Sequence, residues 1–262
     1  MNYKRIIARI DVKGENLVKG INLEGLKTLG KPWDFSHYYY NKKIDEIVFF
    51  DTVASLYGRN NLFDIVEKAS KNIFIPISVG GGVRTLDDIR KLLNAGADKV
   101  ILNTKALQDP KFINLAANKF GSSTILVNID FNLQSDKSYA CFVENGRQVF
   151  DKDIFKWIKE IQKRGAGEII LTSINKDGTA EGYDQNFYKK IKGTIKIPLI
   201  LSGGFGNFEH VYEMIKNTDV DAISIASLFH YNKIKDKSFK GRPLSPINLK
   251  KRLIKKKIKC RL

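Results

Sequence analysis

One stretch of this chain is written twice. Ile75-Pro76-Ile77-Ser78-Val79-Gly80-Gly81-Gly82-Val83-Arg84 returns as Ile197-Pro198-Leu199-Ile200-Leu201-Ser202-Gly203-Gly204-Phe205-Gly206. Each copy is a short apolar run that reads as a buried strand and opens into a glycine turn leading to a helix. Gly81 and Gly203 stand 122 residues apart, close to half of the 262-residue chain. Asp98–Thr104 is answered 123 residues on by Asp221–Ser227, and Asp11, closing Arg5–Asp11, is answered 119 residues on by Asp130, closing Thr124–Asp130. The chain reads as a duplicated half, and its fold must carry a matching twofold repeat.

Eight strand-like runs can be placed, at roughly 5–11, 46–51, 75–79, 98–103, 124–130, 167–173, 197–202 and 221–226. Thr85 to Ala95, Pro110 to Phe120 and Asp151 to Arg164 carry the apolar spacing of amphipathic helices. Strands alternating with helices imply a parallel sheet, and eight units with twofold repetition favour a single closed (β/α)8 TIM barrel over an open doubly wound sheet. No GxGxxG follows the first strand, which removes the dinucleotide-fold signal. A chain of this length at 43% hydrophobic can bury one full core. The expected division is a barrel over 1–240 and a basic C-terminal tail or terminal helix over 241–262.

No apolar run approaches membrane-spanning length, and the N-terminus lacks a signal-peptide core. Cys141 and Cys260 form neither a metal spacing nor a disulfide framework, so a reducing cytoplasm is expected. The net charge of +17 raises a polyanion partner. The lysines are scattered, however, except in Lys250–Lys259, which is expected to be a poorly ordered tail. With no RNA-binding signature, nucleic acid is not the expected partner.

In such barrels the chemistry sits where strands end and βα loops begin. The strand ends read Asp11, Asp51, Gly80 to Gly82, Asn103-Thr104, Asp130, Thr172-Ser173, Ser202 to Gly204 and Ala226-Ser227. They include no Cys and no His, which argues against a thiol nucleophile or a transition-metal site; neither metal nor cofactor is expected. The two turns offer the same provision: Gly81-Gly82 beside Asn103-Thr104, and Gly203-Gly204 beside Ala226-Ser227. Backbone N–H groups there could cradle an anion, so a ligand with a phosphate at each end would bridge the mouth. Asn175-Lys176-Asp177-Gly178-Thr179 is a polar loop that either binds phosphate or simply turns. Asp11 and Asp130, facing across the mouth, suit general acid–base work; the alternative is that each caps its loop. Asp130 is expected at a solvent-facing position, where its replacement by Asn would cost turnover and leave folding intact.

Ile10-Asp11-Val12-Lys13, Leu17-Val18-Lys19-Gly20, Val79 to Gly82, Ala97-Asp98-Lys99-Val100, Asn103-Thr104, Gly165 to Ile169, Leu171-Thr172-Ser173-Ile174 and Asp177-Gly178-Thr179 resemble one family in order and spacing. It is the cyclase subunit of imidazole glycerol phosphate synthase, and the resemblance runs from residue 4 to about 232. That family is a (β/α)8 barrel of histidine biosynthesis. It takes ammonia from a partner glutaminase and converts a bis-phosphorylated ribulosyl aminoimidazole carboxamide nucleotide to imidazole glycerol phosphate and an aminoimidazole carboxamide ribonucleotide. The resemblance implies that Asp11 and Asp130 are the acid–base pair, and that Lys19 lies on a first loop closing over substrate. It also implies that Arg5, Glu46, Lys99 and Glu168 form the charged ring through which ammonia enters. Read from the residues alone, those four sit at strand starts, where a salt-bridged plug serves equally well.

The chain departs from the family at Phe131-Asn132-Leu133, at Asn175, at Gly14-Glu15-Asn16, and in Asp51 to Leu62. The last segment is similar to a paralogous branch that delivers ammonia for acetamidino modification of a surface-polysaccharide sugar. A further alternative, from a different class, is a basic barrel that binds polyanions or acts as a scaffold without catalysis.

Overall fold

The computed structural model describes residues 3–54 and 62–262. Its elements begin with β1 (Arg5–Lys13), β2 (Asn16–Ile21), β3 (Glu24–Gly30), α1 (Pro32–Asn41), β4 (Glu46–Asp51), α2 (Leu62–Ser70), β5 (Ile77–Gly80) and α3 (Leu86–Asn94). There follow β6 (Lys99–Leu102), α4 (Thr104–Gln108), α5 (Lys111–Phe120), β7 (Ile125–Leu133), β8 (Tyr139–Val143), β9 (Gln148–Asp153) and α6 (Ile154–Lys163). The chain ends with β10 (Glu168–Ser173), α7 (Gln185–Ile191), β11 (Leu199–Ser202), α8 (Phe208–Asn217), β12 (Ala222–Ile225), α9 (Ser227–Ile234) and α10 (Pro246–Lys255).

Eight of these strands pair in parallel as β1-β4-β5-β6-β7-β10-β11-β12 and return to β1, which closes a single (β/α)8 barrel. The expected strands are all present, with ends shifted by a few residues. Two antiparallel hairpins were not anticipated: β2–β3 rises from the end of β1, and β8–β9 from the end of β7. Both stand at the wide, C-terminal end of the barrel, as the duplication of β1 and β7 requires.

Side chains along a strand alternate between faces, and this sorts every barrel residue. On β1, Ile6, Ala8 and Ile10 join the large core shared with the helices, while Ile7 belongs to a separate cluster with Val48, Phe50, Ile101, Leu126, Ile170, Ile200 and Ala222. That second cluster fills the barrel. Below it, towards the strand starts, lie Arg5, Glu46, Lys99 and Glu168; above it lie the polar residues of the mouth.

The terminal segment is ordered, contrary to the sequence expectation. Ser245 caps α10 through its side chain and Pro246 opens the helix, while Leu249 and Leu253 are fully buried. Lys250 is 1% exposed, and its ammonium donates to Asp45 Oδ1 at 2.7 Å and to the Lys43 carbonyl at 2.7 Å. This helix is part of the barrel's outer layer. Its lysines are split between packing and solvent, which removes the picture of a free polybasic tail.

Candidate active site

The mouth is built by strand periodicity. Arg9 and Asp11 share the inner face of β1, and Asn128 and Asp130 occupy the equivalent places on β7, 119 residues on. All four are buried, with Asp11 and Asp130 only 2% and 3% exposed. The solvent-facing position expected for Asp130 is therefore corrected: the carboxylate is buried on the inner face of β7, at the wall of a cavity and not in bulk water.

The two carboxylates sit in opposite electrostatic surroundings. Asp11 Oδ1 accepts from Arg9 Nε at 2.8 Å, and the Lys19 ammonium lies 3.6 Å from Oδ2. Burial acts to raise the Asp11 carboxyl, but Arg9 and Lys19 outweigh it and hold the group below its usual value. Asp130 accepts from Asn128 Nδ2 at 2.9 Å and from Asn103 Nδ2 at 2.8 Å. Burial dominates there, Asp11 and Asp177 add like charge, and the carboxyl is pushed up to about 6 in spite of Arg9. The first is therefore held as a carboxylate, while the second takes up a proton at a pH about two units above an ordinary aspartate, the kind of divergence that acid–base pairs need.

The glycine turns are alike in atomic detail. Gly81 and Gly203 have φ of 108° and 103°, and an added Cβ would come within 2.5 Å of the Asp51 carbonyl oxygen and 2.6 Å of the Ser173 one. Only glycine fits both the backbone angle and the space. Asn103 (φ −137°, ψ −87°) and Ala226 (φ −111°, ψ −82°) precede α4 and α9 in the same unusual conformation, with no side chain capping either helix. The first N–H groups are thus left for an external acceptor.

The predicted residues divide between two cavities. Gly81, Gly82, Asn103 and Thr104 line one of about 370 Å³, together with Arg9, Asp130, Arg84 and Lys105. Asp177, Gly178, Ser202, Gly203, Gly204, Ala226 and Ser227 line a second, of about 10 Å³. Three predicted binding residues line neither. Thr172 lies deeper, donating to Asn128 Oδ1 at 2.9 Å; Thr179 turns back to the Lys176 carbonyl at 2.9 Å; Lys19 is ion-paired with Asp177. The Asn103 amide donates to Asp130, whereas Thr104 Oγ1 accepts from the Glu144 N–H at 3.2 Å and keeps its own hydrogen for an anion beside the backbone N–H groups.

Lys19 reaches the site because the β2–β3 hairpin folds over it. The Asn22 N–H donates to the Asp177 carbonyl at 2.8 Å, and Leu23 packs with Phe142 and Ile174. Arg9, Asp11, Lys19 and Asp177 then form a row of alternating charge from the larger cavity to the smaller. Asp51 is a loop cap, its Oδ1 accepting from the Val53 and Ala54 N–H groups at 2.9 Å.

At the narrow end, the Arg5 guanidinium donates to Glu46 at 2.7 Å and to Glu168. Lys99 lies 3.0 Å from Glu168 and 3.7 Å from Glu46. The four expected residues make one closed ring beneath the apolar cluster. Exposed Phe74 and Tyr3, just before β5 and β1, flank this end.

Sequence reasoning missed Arg9, Asn128 and Phe50. For Arg9 and Asn128 the signal was available, because a polar residue two before a strand-end aspartate shares its face; Phe50 carried no such signal. Of the departures, Phe131 is a core residue stacked on Phe187 at 3.8 Å, and Asn175 accepts locally from Ser173 Oγ at 3.0 Å. Glu15 pairs with Lys31 at the surface. Most of the Asp51 to Leu62 segment, residues 55–61, lies outside the described residues.

Residues 5–235 match the family described as histidine biosynthesis protein. The imidazole glycerol phosphate synthase subunit HisF of a Hydrogenobaculum species is 46% identical over 234 residues, covering 89% of this chain and 93% of that one. The protein of the same name from Legionella pneumophila is 44% identical over 80% of this chain and 99% of its own length. That from Bacillus cereus is 42% identical over 97% of this chain and its own full length.

Proposed function

The chain belongs to the histidine biosynthesis protein family, and from that premise we propose that it is the cyclase subunit of an imidazole glycerol phosphate synthase. Its reaction joins ammonia to the bis-phosphorylated ribulosyl aminoimidazole carboxamide nucleotide and releases imidazole glycerol phosphate, the aminoimidazole carboxamide ribonucleotide and the ribulosyl carbonyl oxygen as water. The observation that carries this reading is the pair of aspartates at repeat-related positions with divergent protonation, between two glycine turns of matching geometry.

In this reading the turns and uncapped N–H groups hold the two phosphates, and Lys19 closes over the bound substrate. Asp11, ionised beside Arg9, takes the proton; Asp130 gives one. Two phosphate dianions bound nearby would raise the Asp130 carboxyl further. Ammonia enters through the Arg5–Glu46–Lys99–Glu168 ring and crosses the apolar cluster as the neutral species, since a bare ammonium would be costly there. A glutaminase subunit docks at the ring end, where Phe74 and Tyr3 offer apolar surface, and the pair works in the cytoplasm.

The test is turnover of the bis-phosphorylated nucleotide by the purified chain with excess ammonium salt, with Asp11→Asn as control. Release of both products, lost in the variant, supports the reading; a folded chain that releases neither overturns it. One observation favours a second acceptor for the same ammonia: the Arg9-to-Asp177 charge row separates the open cavity from the small one. An acceptor that engages only the open cavity fits that division, which favours the acetamidino-sugar branch as the alternative. Protection of the fold by a mono-phosphorylated but not a bis-phosphorylated ligand would select it.

A further inference from the structure

A guanidinium buried to 2% exposure is costly unless each of its groups is answered. Nε, Nη1 and the face of the Arg9 guanidinium are answered by four residues. Nε donates to Asp11 Oδ1 at 2.8 Å, Nη1 to Thr172 Oγ1 at 3.2 Å and to Ser202 Oγ at 3.4 Å, and the plane lies over the Phe50 ring at 4.4 Å. The contacts come from β1, β10, β11 and β4, so the side chain spans the barrel interior.

Arginine can only donate, and that fixes the direction of everything downstream. Thr172 Oγ1 must accept from Arg9, which leaves its own hydrogen for Asn128 Oδ1, 2.9 Å away. With its carbonyl oxygen so engaged, the Asn128 amide has one orientation, and its NH2 points at Asp130 Oδ1, 2.9 Å away. A single row of hydrogen bonds therefore runs from Arg9 to Asp130, while the other edge of Arg9 grips Asp11.

We propose that Arg9 is the positioning residue that makes the two repeat-related carboxylates unequal, gripping Asp11 directly as the base and orienting, through Thr172 and Asn128, the amide that meets the acid Asp130. This rests on the acid–base reading of the two aspartates given above. The other charged groups facing the pair are Lys19 from the β2–β3 hairpin and Asp177 from the loop after β10. His230 on α9 faces Asp11 as a neutral imidazole, since burial lowers it to about 3. Arg84, Lys105 and Glu144 rim the cavity farther out. None of these connects the two aspartates; Arg9 does.

The experiment is the pH profile of kcat/KM with ammonium for the parent, Arg9→Lys, Arg9→Met and Asn128→Ala, paired with a carboxyl carbon-13 NMR titration of Asp11 and Asp130 in the same proteins. In Arg9→Met the titration of Asp11 moves up by a pH unit or more and kcat/KM falls at least 100-fold. Arg9→Lys returns the Asp11 titration towards the parent, while the rate stays depressed because an ammonium cannot serve Asp11 and Thr172 together. Asn128→Ala leaves Asp11 in place and moves Asp130 alone upwards, since it loses a bond to its charged form. A folded Arg9→Met with both titrations unmoved overturns the proposal. If Arg9→Met fails to fold, an Arg9→Lys rate equal to the parent's together with an unmoved Asp130 titration in Asn128→Ala overturns it equally. A parent that does not turn over the nucleotide refutes the functional reading, and the NMR titration still decides the role of Arg9.

Discussion

Replacing Asp130 by asparagine removes a buried ionisable group and keeps its shape, so its effect on stability can be worked out from the surroundings. In the folded chain burial and the neighbouring carboxylates raise this group from 3.8 to about 6. A folded-state value above the unfolded one means that the contribution to stability is complete below about pH 4 and is lost as pH rises through 6. The shift is about two units at roughly 1.4 kcal/mol each, or on the order of 3 kcal/mol between pH 4 and pH 8. The replacing asparagine does not titrate. Its amide does bring a donor against the NH2 groups of Asn128 and Asn103, but that conflict adds a constant offset at all pH values. The slope is therefore what matters. Urea unfolding of parent and Asp130→Asn at intervals from pH 4 to pH 8 should show the variant gaining on the parent by roughly 3 kcal/mol across the range. A stability difference that stays flat with pH would refute the burial argument, and with it the assignment of Asp130 as the acid. Turnover should fall by orders of magnitude at every pH.

Further outcomes follow from other parts of the fold. Gly81→Ala and Gly203→Ala each drive a Cβ into a backbone carbonyl at a left-handed φ, and each should weaken protection of the chain by phosphate-bearing ligands in thermal melts, with a folded minority at best. Lys250→Met leaves the Asp45 carboxylate and the Lys43 carbonyl without their buried donor and should cost about 3 kcal/mol in denaturant unfolding. Glu168→Ala opens the ring at both Arg5 and Lys99; ammonium-driven turnover should persist while glutamine-driven turnover with the partner subunit drops several-fold, and equal retention of both would make the ring structural.

Much of the barrel was legible because parallel strands buried on both faces read as unbroken apolar runs, and the internal repeat fixed their number. The hairpins were not, for a physical reason. Glu24–Gly30 has no buried residue at all and holds its place through pairing with β2, a contact that leaves no hydrophobic period. The C-terminal helix was obscured by counting charge: Leu249 and Leu253 lie one turn apart on its inner face, and the lysine between them packs instead of dangling. At the site, the aspartates and glycines stood out by their repetition. Arg9 did not, because its counterpart at the same strand position is Asn128, and the difference between the halves is what makes it matter.

Closure of the ring has a consequence for how the chain is made. β1 pairs with β12, Arg5 against Ala222, and the Lys4 N–H donates to the Lys259 carbonyl at 2.9 Å. A ribosome therefore releases the first strand long before the strand that seals its outer edge exists. At bacterial or eukaryotic elongation rates the interval is roughly 10–40 s. Through that time β1 has no β12 to pair with, and an open strand edge is the kind of surface that recruits stray strands from other chains. The closing strand and the helices after it act as a latch, and yield of native protein should depend on how quickly they arrive.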